Sequence, residues 1–146
     1  MMATLVTIQS IWATGTKGEV VVLLPLPPIA VGLGANPIPE EDIEMLRNFR
    51  GPNGEFVRLG FVRPFAKNLP DEPQFIPRVA TIYRNKMWTL SLVQYASTIF
   101  IDSDILLRRN LDHLFLTDRF TTARDNISPL NAAFWVSNPS CQVRDS

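Results

Sequence analysis

The sequence predicts an α/β fold: a mainly parallel sheet flanked by helices, formed as one domain over residues 1–146. Segments with helical spacing alternate with strand-like segments, the order a layered α/β structure requires. The strand-like segments are short, β-branched and nearly all apolar, as strands covered on both faces must be. Proline- and glycine-rich stretches separate the two kinds. With 146 residues and a hydrophobic content of 46%, the chain has apolar surface enough for a core.

Leu5, Ile8, Ile11 and Trp12 recur at helical spacing and Gly15 follows where a helix C-terminus favours it, predicting a helix over residues 3–14. Residues 19–24 form a β-branched apolar run, expected to be a strand buried on both faces. Residues 25–39 read as a loop. Pro39 then opens a second helix, with Glu40, Glu41 and Asp42 at the positive end of its dipole; it runs to about Phe49 and stops at Gly51-Pro52-Asn53-Gly54. Residues 56–62 read as a strand ended by Pro64, and residues 65–77 as a loop. A helix is expected over residues 85–95, with Met87, Leu90 and Val93 on one stripe. Thr98-Ile99-Phe100-Ile101 is a dense strand running straight into Asp102-Ser103-Asp104. Beyond it lie an extended piece at residues 105–107, a helical turn at 110–115 and strands at 120–123 and 133–137. No internal repeat is present.

Lys plus Arg and Asp plus Glu both total 14, so the formal net charge is zero, and neither a nucleic-acid tract nor a polybasic membrane anchor is expected. Cys141 is the only cysteine, which excludes an intrachain disulfide. No stretch is long and apolar enough for a membrane span; residues 20–33 come nearest and contain Pro25, Pro27 and Pro28. The N-terminus lacks the basic start and apolar run of a signal peptide, so cytoplasm and Golgi lumen both stay open as compartments.

Asp102 and Asp104 are the chemical centre of the sequence. On an extended backbone, residues at i and i+2 point to one side while Ser103 points away. Two hard anionic ligands together suit Mn²⁺ or Mg²⁺, which hold carboxylates and leave positions for phosphate oxygens and water. The structural alternative is a turn or a helix cap, since short motifs often match by chance.

Lys86-Met87-Trp88-Thr89-Leu90-Ser91-Leu92-Val93-Gln94-Tyr95, then the apolar strand, Asp102-Ser103-Asp104, and Arg109-Asn110-Leu111-Asp112-His113-Leu114-Phe115 together resemble the central block of the family 8 glycosyltransferases, the glycogenin-like nucleotide-sugar transferases. Weaker likeness covers residues 8–24 and Asn131-Ala132-Ala133-Phe134-Trp135-Val136-Ser137-Asn138-Pro139-Ser140. The resemblance thus spans most of the chain. It implies a partial GT-A-type, Rossmann-like nucleotide-diphospho-sugar transferase domain. The implied reaction is metal-dependent hexosyl or uronosyl transfer, with retention, from a UDP-sugar to a glycan, protein or lipid acceptor. Self-association is left open.

Position by position, the resemblance implies that Asp102 and Asp104 hold the metal. Lys86 and Ser103, with the two aspartates, would contact the donor, and Asp125 and Asn131 would lie at the reacting centre. Taken alone, Lys86 reads as a solvated helix-start lysine, and Asp125 and Asn131 as loop caps. Asp112 reads as a turn or cap residue, His113 as surface, and the tryptophans with Phe100 as core.

The chain departs from the family pattern in three respects. The base-binding first strand and the later histidine- and lysine-bearing region are missing, which leads to the expectation of a truncated product with little activity of its own. The family's Asn-Ser-Gly is here Asn131-Ala132-Ala133, which adds a β-carbon where backbone would approach sugar. Two rivals stand beside the transferase reading. One is a phosphatase of the haloacid dehalogenase type, which wants a small residue and then Thr after the second Asp where this chain has Ile105 and Leu106. The other is a non-catalytic transferase remnant.

Overall fold

The computed structural model describes residues 1–26, 38–62, 86–124 and 131–140. The expected loop at 65–77, most of the loop at 25–39, Asn85, Asp125 and Cys141 lie outside them. Among the described residues the architecture is mixed α/β, with two α-helices, one small parallel sheet and one small antiparallel sheet. Its contacts gather into two compact units, Met1–Gly18 with Trp88–Ser146, and the continuous segment Glu19–Met87.

In the continuous unit, β1 (Val20–Pro25) and β2 (Val57–Val62) pair in parallel from Val20 opposite Val57 to Pro25 opposite Val62. Helix α2 (Glu40–Asn48) packs against β2 and buries Ile43 and Leu46, three residues apart on one face, alongside the buried Leu24 and Val57. Glu40, Glu41 and Asp42 occupy its first turn, and Arg47 in the last turn pairs with Glu40 at 3.3 Å and with Glu44. Gly51-Pro52-Asn53-Gly54 makes the expected turn, closed by the Gly51 amide donating to the Glu55 carbonyl at 2.9 Å. Gly60 lies opposite Leu23, and a β-carbon there would stand 2.8 Å from Leu23 Cδ2, so this position suits a glycine.

The other unit begins with α1 (Met2–Ala13), which buries Thr7, Ile8 and Trp12. The helix stops as foreseen: the Gly15 amide reaches the Trp12 carbonyl at 2.9 Å with φ at 72°, a left-handed conformation that a side chain would strain. Its sheet contains β3 (Thr98–Ile101), β4 (Thr121–Thr122) and β5 (Phe134–Ser137) in the order β3-β5-β4, all antiparallel. Cross-strand partners Phe100 and Trp135 stack at 4.1 Å, Trp135 donates from Nε1 to Thr89 Oγ1 at 3.3 Å, and Val136 is fully buried.

Four expectations are corrected. The sheet behind Asp102 is antiparallel, because β3 takes β5 as its neighbour from Thr98 opposite Ser137 to Ile101 opposite Phe134. Neither β1 nor β3 is buried along its length: only Leu24 of β1 is fully covered and all of β3 is half-buried. The helix over 85–95 shrinks to a 3₁₀ turn, Met87–Ser91. There the Ser91 hydroxyl takes the Trp88 carbonyl at 2.8 Å, the acceptor an α-helix would offer the Leu92 amide, which bonds Thr89 instead. Residues 105–107 form no strand, and their backbone is bonded by a side chain of α1, described below.

Candidate functional site

The acidic tripeptide follows β3 as a turn. The Ile105 amide donates to the Asp102 carbonyl at 3.2 Å, so the backbone has left the extended conformation by Ser103. The alternation argument, which needs a continuing strand to aim both aspartates to one side, therefore does not apply. Asp102 is half-buried, while Ser103 and Asp104 are exposed.

Asp102 is brought beside the Asn131-Ala132-Ala133 turn. Its amide donates to the Ala133 carbonyl at 2.9 Å, one step beyond the last β3–β5 pair. Two separated parts of the sequence thus meet at one end of the sheet, where β3 finishes and β5 starts. Asn131 Oδ1 accepts from the Ala133 amide at 2.7 Å, closing an Asx-turn, and the Asn131 amide donates to the Ala123 carbonyl at 3.0 Å. The side-chain oxygen of Asn131 is thereby engaged by backbone.

The other flank of the acidic turn rests on α1. The buried Thr7 hydroxyl donates to the Ser103 carbonyl at 2.8 Å. One helical turn on, the Ser10 hydroxyl donates to the Thr7 carbonyl at 2.7 Å and accepts from the Leu107 amide at 3.0 Å. Neither residue is marked by the sequence motifs. The available signal is the run Thr7, Ser10, Thr14, hydroxyls at spacings of three and four on a mainly apolar helix.

Asp112 lies in a turn as expected, but its carboxylate ties that turn to residues 16 and 17 rather than capping it. It begins the 3₁₀ turn Asp112–Leu116, and its carboxylate accepts from the Thr16 hydroxyl, from the Lys17 amide at 2.8 Å and from Asn110 Nδ2 at 3.3 Å. The Thr16 hydroxyl is the main cause holding its carboxyl below the usual value, helped by the Lys17 amide, Asn110 and the Lys17 charge, with burial opposing. Asn110 Oδ1 in turn accepts from the Asp112 amide at 2.7 Å. His113 is exposed, and Trp12 and Trp135 are core.

Lys86, half-buried, comes just before Met87–Ser91 and falls in the unit without the acidic turn. Asp125 lies outside the described residues. Of the sequence-predicted residues, the structure brings Asn131, two residues before Ala133, to the sheet end where Asp102-Ser103-Asp104 begins.

Among the described residues, no group of three or more His, Cys, Asp or Glu side chains is gathered. Among the described residues, no helix is long and apolar enough to cross a membrane. Comparison with protein-family models and with curated protein sequences returns no match.

Proposed function

We propose that the acidic turn after β3 is the donor-binding centre of a metal-dependent, retaining glycosyltransferase of the family 8 type, acting on a UDP-sugar. The observation that carries the proposal is the hydrogen bond from the Asp102 amide to the Ala133 carbonyl. It puts the acidic tripeptide of the block that resembles that family, Asp102-Ser103-Asp104, at the same sheet end as Asn131-Ala132-Ala133, whose likeness to the family is weaker.

In this reading Asp102 and Asp104 hold Mn²⁺ or Mg²⁺ through their carboxylates. The cation, when bound, neutralises charge on the departing diphosphate. Asn131 offers its amino group to a sugar hydroxyl, and the family resemblance assigns Asp125 to the reacting centre. Lys86 supplies a positive charge for the donor phosphates, and Ser103 lies between the two metal ligands. The acceptor is a glycan, protein or lipid, and the sugar is replaced on the same face that the diphosphate leaves. Ile105 and Leu106, following the second aspartate, disfavour the phosphatase alternative.

Isothermal titration of the chain with UDP, with and without Mn²⁺, tests the proposal. Wild-type protein binds UDP in a manganese-dependent way, and Asp102→Asn with Asp104→Asn removes that dependence. Equal affinity in the double variant would sink the proposal, as would absence of any UDP binding by the wild type, which is the behaviour of a non-catalytic remnant.

A further inference from the structure

The backbone of residues 103–107 carries the acidic turn but belongs to no strand or helix. A hydrogen bond from the Ile105 amide to the Asp102 carbonyl shapes its start. What fixes it in space comes from elsewhere. At one end the Asp102 amide is tied to β5 through Ala133. Along the rest, α1 presents two hydroxyls three residues apart, and therefore on one helix face. Thr7 takes the Ser103 carbonyl, and Ser10 takes the Leu107 amide.

The chemistry of each hydroxyl suits its task. Thr7 is buried, with an exposure of 5%, and it satisfies the carbonyl of the residue between the two aspartates. Ser10 needs both functions of its hydroxyl: it donates backwards to the Thr7 carbonyl and still has a lone pair for the Leu107 amide. Through these two bonds, the helix grips the segment four residues apart, on either side of Asp104. Carboxylates on a loop hold a cation well only when supporting groups lock the loop, because small displacements at a metal site are costly.

We infer that Thr7 and Ser10 of α1 are positioning residues that set the Asp102-Ser103-Asp104 turn for its cation and diphosphate. This rests on the donor-site reading proposed above. Neither residue touches substrate. Thr7 acts through the Ser103 carbonyl and Ser10 through the Leu107 amide.

The test compares Thr7→Val, Thr7→Ser, Ser10→Ala and Ile8→Val by thermal unfolding and by UDP titration in Mn²⁺. Ile8→Val trims the same helix at a buried side chain with an exposure of 2% and serves as the control for stability alone. Thr7→Val keeps the shape of threonine, loses the hydroxyl, and lowers UDP–Mn²⁺ affinity by about 10-fold, the size typical of losing a group that orients a metal ligand. Thr7→Ser restores wild-type affinity. Ser10→Ala weakens binding in the same direction and carries the prediction should Thr7→Val fail to fold. Ile8→Val melts earlier with unchanged affinity. Wild-type affinity in both Thr7→Val and Ser10→Ala overturns the inference while leaving the donor-site reading intact. An equal loss in Ile8→Val also overturns it, since general loosening of the helix would then suffice. A wild type that binds no UDP removes both.

Discussion

Asp112 accepts hydrogen bonds from a hydroxyl, a backbone amide and a side-chain amide, and these lower its carboxyl below its ordinary value. A carboxyl lowered in the folded state adds stability that is complete above its unfolded pKa, about 4, and that disappears as pH falls through the folded value. Asp112→Ala is therefore expected to lower the melting temperature at neutral pH. The gap from wild type should close as pH falls below about 4 and through the lowered value of the folded carboxyl. Calorimetric scans of both proteins across that range check it, and a constant gap would contradict the assignment. At this scale the sequence was informative. The loop-turn character of Asn131 follows from a short polar side chain that bonds nearby backbone, whereas the partners of Asp112 at Thr16 and Lys17 are as remote in sequence as those of α1. Thr7 and Ser10 were not legible, because their partners stand 96 and 97 residues away.

The antiparallel sheet depends on Trp135, which stacks on Phe100, lies 6.5 Å from Phe120 between ring centroids and bonds Thr89. Trp135→Ala should cost about 3–5 kcal/mol, the usual range for deleting a buried aromatic, and leave Thr89 without that donor. Urea unfolding followed by circular dichroism measures the loss, and a cost below about 1 kcal/mol would show that the stack contributes little. The strands themselves could be found from their runs of Ile, Phe, Trp and Val. Their pairing could not. Local composition records that a segment is extended, while the choice between a parallel and an antiparallel neighbour is made by contacts far along the chain. Local competition also explains the shortened helix, where a serine hydroxyl claims a carbonyl that apolar periodicity assigns to an amide.

Taken whole, the chain resolves into a continuous unit and one assembled from separated stretches. Leu46, with an exposure of 0%, is the best-covered side chain among the described residues of the continuous unit. Leu46→Ala should cost about 2–5 kcal/mol, and by hydrogen exchange it should loosen Val20–Pro25, Glu40–Asn48 and Val57–Val62 well before Thr98–Ile101 and Phe134–Ser137. A uniform rise in exchange would mean that the two units open together. The α/β class was readable from alternating periods, yet the division after Gly18 was not, because neither composition nor charge changes there. What marks it is the return of the chain to α1 beyond residue 88.

That return has a bearing on how the protein is made. The carbonyl destined for Thr7 lies 96 residues further along the chain, so α1 leaves the ribosome before it has been made. Glu19–Met87 is continuous and can collapse as it emerges, whereas Ile8 and Trp12 must wait with their apolar sides uncovered. Nascent chains stalled before residue 100 should therefore be the ones that chaperones hold.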